Sequence, residues 1–186
     1  MQEMIVRLES ISIENFKNVK NGQLSFENNR KAFKTSILGL YGQNGSGKTA
    51  LIDAIELLQL ALRGQPIPVK FADYINVEAE FATLHYEFSV TGSGKAYRAF
   101  YELKLRAQKV ENSQNTEVSE NEESHYKVAI ADELLSYSYE DSVNRVRKSP
   151  LIDTSSPRVF VPAKKYSCLI GKDKNIAINL MVDKKV

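Results

Sequence analysis

The first 26 residues alternate between apolar and polar positions in two short runs. The apolar positions are Leu8, Ile11, Ile13, Phe16, Leu24 and Phe26. A period of two is typical of β-strands that bury one face. The dipeptide formed by Asn21 and Gly22 separates the runs and favours a tight turn. We therefore predict a hairpin that turns at Asn21 and Gly22.

The next two apolar segments differ from this alternation. Residues 36–41, SILGLY, are almost wholly apolar, which is typical of a strand covered on both faces. Residues 48–62, KTALIDAIELLQLAL, are helix formers with a broad apolar surface. The pattern predicts a buried strand, a glycine-rich turn and a largely buried helix, in that order.

The middle of the chain returns to β-type alternation. Residues 77–90 and 96–108 alternate on either side of the turn TGSGK, so we predict neighbouring antiparallel strands. Residues 126–140 are predicted to continue the same sheet. Residues 111–124 contain five Glu and no basic residue, which predicts an exposed acidic loop without regular structure. The apolar segments after Pro157 are ambiguous between helix and strand.

Composition limits the class of protein. With 42% apolar and 26% charged residues, the 186-residue chain has a globular composition and can bury a core for one domain or one and a half. A lone cysteine, Cys168, cannot form an internal disulfide, and we interpret it as a small buried hydrophobe in a reducing cytosol. No apolar run approaches the roughly 20 residues that span a bilayer. We expect a cytoplasmic protein without membrane contact.

Charge is distributed unevenly although its net value is only +2. From Arg145 to Val186 there are ten Lys or Arg against three Asp, whereas the preceding residues are net acidic. A solvated lysine-rich surface explains this tail, because its basic residues are dispersed and few aromatics lie among them. Contact with an anionic partner such as nucleic acid is the alternative.

Residues 42–49, GQNGSGKT, match the pattern GxxxxGK(S/T). Glycines let the backbone N–H groups approach phosphate oxygens, and the following helix adds its positive end. Lys48 is predicted to contact the β- and γ-phosphates and is the catalytic candidate, while the Thr49 hydroxyl is predicted to bind Mg²⁺. The predicted nucleotide-binding residues of this loop are Gly42, Gln43, Asn44, Gly45, Ser46, Gly47, Lys48, Thr49 and Ala50.

The loop YGQNGSGKT, preceded by SISIENFKNVKNGQLSF, resembles the N-terminal half of ATPases related to RecF, to structural maintenance of chromosomes (SMC) proteins and to OLD nucleases. In that group a strand opening the fold ends in Asn, Phe and a basic residue, as Asn15, Phe16 and Lys17 do here. Asn44 is typical of its ABC-type head. The stretch ADELLSYSY, with Glu133 and Leu134, is similar to bacterial AAA family ATPases of this type, many linked to phage defence.

This resemblance implies an α/β P-loop NTPase fold, with a mixed sheet around the loop helix and a flanking antiparallel β-layer. Residues 1–186 then form a single partial ATPase head, and ATP with Mg²⁺ is held between two heads of a homodimer. By the same resemblance, Lys17 and Asn18 approach the α-phosphate or the ribose. Opening and closing of the dimer acts on nucleic acid or on an effector protein.

Turnover in this group needs a glutamine loop, an LSGGQ-like signature and a Walker B strand ending in Asp and Glu. The sequence contains no LSGGQ-like segment. The nearest Walker B matches are Asp153, at the end of SPLID, and Asp183, which is followed by Lys184 where a catalytic carboxylate is expected. Gln108, after a predicted strand, is the candidate for the glutamine loop. The chain is therefore expected to be an N-terminal fragment that binds ATP and hydrolyses it only when completed.

Three functions remain open at this stage. The leading one is an ATP-binding part of an ABC-type ATPase. A regulatory or structural domain that binds nucleotide without turnover is the second. A kinase using the same loop is the third, and Asn44 and the N-terminal hairpin argue against it. His85 and His125 have no partners at metal-binding spacing, so a zinc site is not expected.

Overall fold

The computed structural model describes residues 4–26, 38–63, 65–92, 95–109, 126–140 and 146–155. These contain six strands, one α-helix and one short 3-10 turn. In chain order they are β1 (Ile5–Phe16), β2 (Val19–Ser25), α1 (Lys48–Leu62), the 3-10 turn Val69–Phe71, β3 (Ala82–Gly92), β4 (Lys95–Lys109), β5 (Tyr126–Glu140) and β6 (Val146–Asp153). The helix begins and ends where its sequence pattern predicted.

The six strands form one antiparallel sheet in the order β2-β1-β3-β4-β5-β6. After β2 the chain leaves the sheet, passes through the glycine-rich loop and α1, and returns as β3 on the other side of β1. The predicted pairing of the two central strands is confirmed, with Tyr86 of β3 opposite Tyr101 of β4. The prediction that residues 126–140 continue this sheet is also confirmed.

One face of the sheet packs against α1 and forms the core. Residues opposite one another in adjacent strands share a face, so Ile13, Leu84 and Leu103 lie side by side. All three are buried. The helix contributes Ala54 and Leu57, both fully buried. Burial of a leucine side chain such as Leu57 stabilises the fold by about 1.5–3 kcal/mol, and this packing holds the helix below the glycine-rich loop.

The predicted hairpin is confirmed, but the predicted position of its turn is wrong. Phe16 pairs with Val19, so the turn consists of Lys17 and Asn18. Asn21 and Gly22 lie within β2, opposite Glu14 and Ile13. Tertiary contacts decide the position: Phe16 is fully buried and stacks on Phe71, and a bridge joins Phe16 to Ile75. A later turn would displace this register and expose buried side chains.

The predicted buried strand at residues 36–41 is also wrong in its described part. Leu38, Leu40 and Tyr41 lie outside the strands, and their exposed fractions are 48%, 40% and 95%. A strand covered on both faces needs neighbours, and none of the six described strands pairs with residues 38–41. The mixed sheet predicted around the helix is accordingly not found within the described ranges, where the pairing is antiparallel throughout.

Strand β6 was not predicted as an element. It lies at the edge of the sheet next to β5, and it contains Pro150 opposite Ser136, where the register shifts. Proline lacks the N–H that a central strand needs and is tolerated at an edge. The acidic loop 111–124, Cys168, Asp183 and the basic residues after 155 lie outside the described residues.

Candidate nucleotide-binding site

The glycine-rich loop turns sharply before α1. Gly45 and Gly47 adopt φ angles of 85° and 88°, a left-handed conformation that glycine adopts without steric cost. Gly47 is also the N-cap of the helix. A Cβ atom at Gly47 would lie 2.8 Å from Cγ2 of Val19, so the loop approaches β2 more closely than another residue allows. Position 47 therefore requires glycine for two reasons: its positive φ angle, and the contact that a side chain would make with Val19.

Lys48 folds back over the loop. Its Nζ donates hydrogen bonds to the carbonyl oxygens of Gly42 and Gln43, each at 2.7 Å, and lies 3.2 Å from Oγ of Ser46. The N–H of Ser46 donates to the carbonyl of Gln43 at 3.2 Å. The loop therefore encircles the ammonium group, which is the cation that a triphosphate would meet.

The start of α1 provides further donors for an anion. No side chain among the described residues caps this end, and the first turn contains no acidic residue. The amides here carry the positive end of the helix dipole. Ala50 is fully buried and can contribute only its backbone, whereas Thr49 is exposed. The predicted contact of the Thr49 hydroxyl with Mg²⁺ stays a prediction.

The hairpin turn lies against this loop and helix. The Lys17 ammonium pairs with the carboxylate of Asp53 on α1 and lies 4.0 Å from the ring centroid of Tyr74. The side-chain amide of Asn18 donates to the carbonyl of Gly45. The structure therefore brings both turn residues to the loop, although their predicted contacts with a nucleotide stay predictions.

The described Walker B match does not join this site. Asp153 is the last residue of β6, which forms one edge of the sheet, whereas β2 forms the other. Its Oδ1 accepts hydrogen bonds from the N–H and Oγ of Ser155, at 3.0 Å and 2.6 Å. Gln108 is exposed near the end of β4. His85 pairs with Glu102 across β3 and β4, with Nδ1 and Oε2 3.4 Å apart. We assign none of these residues to the loop.

Sequence reasoning missed Asp53 and Tyr74. Asp53 carried a signal, because it is the only charged residue among the buried positions of α1. An acid on an apolar helix face predicts a cationic partner. Tyr74 carried no comparable signal, since its contact with Lys17 depends on where residues 74–76 lie beside the end of β1.

A glycine loop that holds a lysine ammonium at the start of a buried helix is typical of P-loop nucleoside triphosphatases. Comparison with known proteins agrees: a family model described as "AAA domain" matches residues 10–178. The chain belongs to this AAA domain family. The match begins at Ser10 within β1 and covers the loop, α1 and the rest of the described sheet, so the P-loop NTPase class is established at family level.

A curated relative narrows this class. Over 78 residues the chain is 38% identical to "DNA replication and repair protein RecF" of Azobacteroides pseudotrichonymphae genomovar. CFP2. The matched segment is 42% of this chain and 19% of the relative, so the chain spans about a fifth of that protein. The predicted resemblance to RecF-like ABC-type ATPases is confirmed.

Membrane insertion through a helix is not indicated by the described part of the chain. Its one α-helix, α1, has 15 residues, and no described helix has the length and apolar character needed to cross a bilayer.

Proposed function

We propose that the chain binds ATP together with Mg²⁺ through residues 42–50. The observation that supports this most directly is the Lys48 ammonium held by the carbonyls of Gly42 and Gln43. In the bound state Lys48 exchanges these carbonyls for the β- and γ-phosphates, and Thr49 holds the metal ion. Backbone amides at the start of α1 bind the remaining phosphate oxygens.

The turn residues extend this proposed site. Lys17 and Asn18 contact the α-phosphate or the ribose, since both already lie against the loop and α1. Amide groups suit ribose hydroxyls, and an ammonium suits a phosphate. Membership of the AAA domain family supports nucleotide use but leaves the individual contacts to experiment.

Calorimetric titration with ATP, in the presence and absence of Mg²⁺, tests this function on wild type, Lys48→Ala and Lys20→Ala. Lys20 is a matched control, because it is an exposed lysine on β2 that pairs with Glu78 at 2.7 Å. We expect Lys48→Ala to weaken binding by at least about tenfold, as for a lost bond to a charged group. Lys20→Ala should bind as wild type does. Equal affinities for all three proteins would reject the loop as the site.

A second function, nucleotide binding without turnover, is favoured by the surroundings of the loop. Asp53, on the helix that follows the loop, is already paired with Lys17 of the hairpin turn. Asp153 lies in β6, at the edge of the sheet farthest from β2. Neither is placed to activate water. We propose that hydrolysis requires a signature and a Walker B element not found in this sequence, together with a second head. Steady phosphate release by the 186-residue chain, abolished in Lys48→Ala, would contradict this.

We further propose a cytoplasmic protein that acts as a dimer of heads on nucleic acid or on an effector protein. The name of the curated relative supports nucleic acid as the first partner to test. Fluorescence anisotropy of labelled duplex DNA, with and without ATP, measures this. Binding that requires ATP and falls with salt is expected for a phosphate-directed contact. Anisotropy unchanged by protein in both conditions would favour the effector protein instead.

A further inference from the structure

We propose that Asp53 is a positioning residue of the nucleotide site, which holds the Lys17 ammonium in place for a nucleoside triphosphate. This inference rests on the proposed ATP binding and extends it to a residue that contacts no nucleotide itself. It follows from the burial of the ion pair, from the conformation of the turn and from the place of Asp53 on α1.

The burial of Asp53 requires a cation. Only 8% of the residue is exposed, and its neighbours on the same side of α1 include the fully buried Ala50, Ala54 and Leu57. A carboxylate in such surroundings is costly unless it is paired. Lys17 supplies the charge, and its own side chain is only 23% exposed. The ion pair therefore restricts the positions of both the Lys17 ammonium and the Asp53 carboxylate.

The backbone of the turn is held at some cost. Lys17 in the turn and Asn15 just before it have φ angles of 55° and 53°, a left-handed conformation that costs a lysine about 1–2 kcal/mol and an asparagine less. Contacts from the segment around Tyr74 maintain this conformation: the N–H of Lys17 donates to the Tyr74 carbonyl at 2.5 Å, and the N–H of Asn76 donates to the Asn15 carbonyl at 2.9 Å. Glycine would relieve the strain at position 17 but carries no ammonium. A two-residue hairpin turn itself requires a positive φ, so what needs a reason is a lysine rather than a glycine at this position, and an ammonium held beside the loop supplies that reason.

The place of Asp53 on the helix directs Lys17 to the ligand. Asp53 follows Thr49 by four residues, so the two lie on the same side of α1, about 6 Å apart along its axis. The neighbouring turn residue, Asn18, already contacts the loop at Gly45. Tyr74 covers the Lys17 ammonium at 4.0 Å. With two partners, Lys17 loses little rotamer freedom when a phosphate arrives, because it is already ordered.

An exchange of the two charges tests the proposal. The double variant Lys17→Asp with Asp53→Lys keeps an ion pair but moves the cation from the turn to the helix. We expect each single substitution to lower the melting temperature, and the exchange to restore most of it. The affinity for ATP should stay at least about tenfold below wild type in the exchanged protein, as for a lost bond to a charged group. Restoration of both stability and affinity would show that the pair is merely structural and would overturn the proposal.

Two further variants complete the experiment. Lys20→Glu with Glu78→Lys exchanges an exposed pair that joins the same hairpin to the segment before β3, and both stability and ATP affinity should match wild type. Should the exchanged Lys17 and Asp53 protein fail to fold, Asp53→Asn replaces it, because this variant keeps the Lys17 ammonium and removes only the charge that holds it. Weakened ATP binding in that folded variant supports the proposal, and wild-type affinity rejects it. If the proposed function itself were wrong, the result would differ from all of these: wild type and Lys48→Ala would bind ATP equally in the calorimetric titration.

Discussion

The hydroxyl of Tyr86 donates a buried hydrogen bond of 2.7 Å to the carbonyl of Ala54, and so joins the sheet to the P-loop helix. Ala54 lies one residue after Asp53, so this bond anchors the part of α1 that holds Lys17. The Tyr86 ring is fully buried and stacks on Tyr101, at 6.4 Å between centroids. The position of the helix on the sheet is thus set by a polar contact as well as by apolar packing.

Removal of this hydroxyl should destabilise the fold with little change in its core. Tyr86→Phe should lower the free energy of unfolding by about 1 kcal/mol, as for one buried hydrogen bond. Urea unfolding followed by circular dichroism measures this. Tyr126→Phe is the control, because Tyr126 is 46% exposed and should change little. Equal effects of the two substitutions would contradict the role of the Ala54 bond.

Tyr86 also predicts a loss of stability at alkaline pH. Burial raises the pKa of Tyr86 above its usual value of 10.0. The unfolded chain therefore releases this proton first as the pH rises through 10, and stability falls from that pH upward. Tyr86→Phe has no such proton, so its stability does not fall for this reason. The difference in free energy of unfolding between wild type and Tyr86→Phe should therefore shrink between pH 9 and pH 11. A deficit that is constant over this range would contradict the pKa direction.

Two glycines of the loop should respond differently to substitution. Gly45→Ala and Gly47→Ala both place a side chain in a left-handed conformation, at about 1–2 kcal/mol each. Only Gly47→Ala also brings a Cβ to 2.8 Å from the Val19 side chain, whereas nothing lies within 4 Å at Gly45. Urea unfolding should show the larger loss for Gly47→Ala. Adding Val19→Ala should recover the excess, and failure to do so would disprove the steric contact.

The core contribution of α1 can be measured with a matched pair on the same helix. Leu57 is fully buried, whereas Ile52 is 60% exposed. Leu57→Ala should lower the free energy of unfolding by about 2–5 kcal/mol. Ile52→Ala should change it by no more than about 0.5 kcal/mol, as a surface substitution does. Thermal or urea unfolding distinguishes them, and a larger loss at Ile52 would mean that another face of the helix is buried.

The pair formed by His85 and Glu102 predicts an acid-dependent effect. The hydrogen bond to His85, and then the charges of His85, Lys148 and Lys104, lower the pKa of Glu102 against the opposing effect of burial. A carboxyl whose pKa is lowered by folding contributes stability above its unfolded pKa, and loses it as the pH falls through the folded value. Because the side chain is 38% exposed, this contribution is below about 1 kcal/mol.

Urea unfolding of Glu102→Gln at several pH values tests this. The variant should be less stable than wild type near pH 6 and equal to it near pH 3, where the wild-type carboxyl is protonated in both states. In a His85→Asn background the difference near pH 6 should be smaller. A deficit that persists unchanged at pH 3 would show that Glu102 acts through packing.

Local patterns predicted those parts of the fold that depend on local interactions. The helix formers between Lys48 and Leu62 gave the helix its bounds, and alternation gave β3, β4 and β5. The turn at Lys17 and Asn18 could not be predicted, because contacts with residues 74–76 outweigh the turn preference of Asn21 and Gly22. The exposure of Leu38 and Leu40 could not be predicted either, because the burial of a strand depends on partners distant in sequence.

The candidate site was predicted where its chemistry is contiguous in sequence. Residues 42–49 carry both the glycine conformations and the lysine, so the motif alone indicated the loop. Asp53 was recognisable only as a buried acid of unknown partner, and its pairing with Lys17 emerged from the packing of β1 against α1. The family comparison establishes the class of this site without testing the separate roles of Lys48, Thr49 and Asn18.

The strand order also has a kinetic consequence. Glu14 of β1 pairs with Thr83 of β3, about 70 residues later in the chain, and the loop and α1 lie between them. Closing so long a segment is slow compared with forming a helix, because its entropic cost precedes any gain from strand pairing. Lys17, which follows β1 directly, pairs with Asp53 inside that segment. We therefore expect the proposed nucleotide site to be completed late in refolding, and nucleotide to slow the unfolding of the chain without accelerating its refolding.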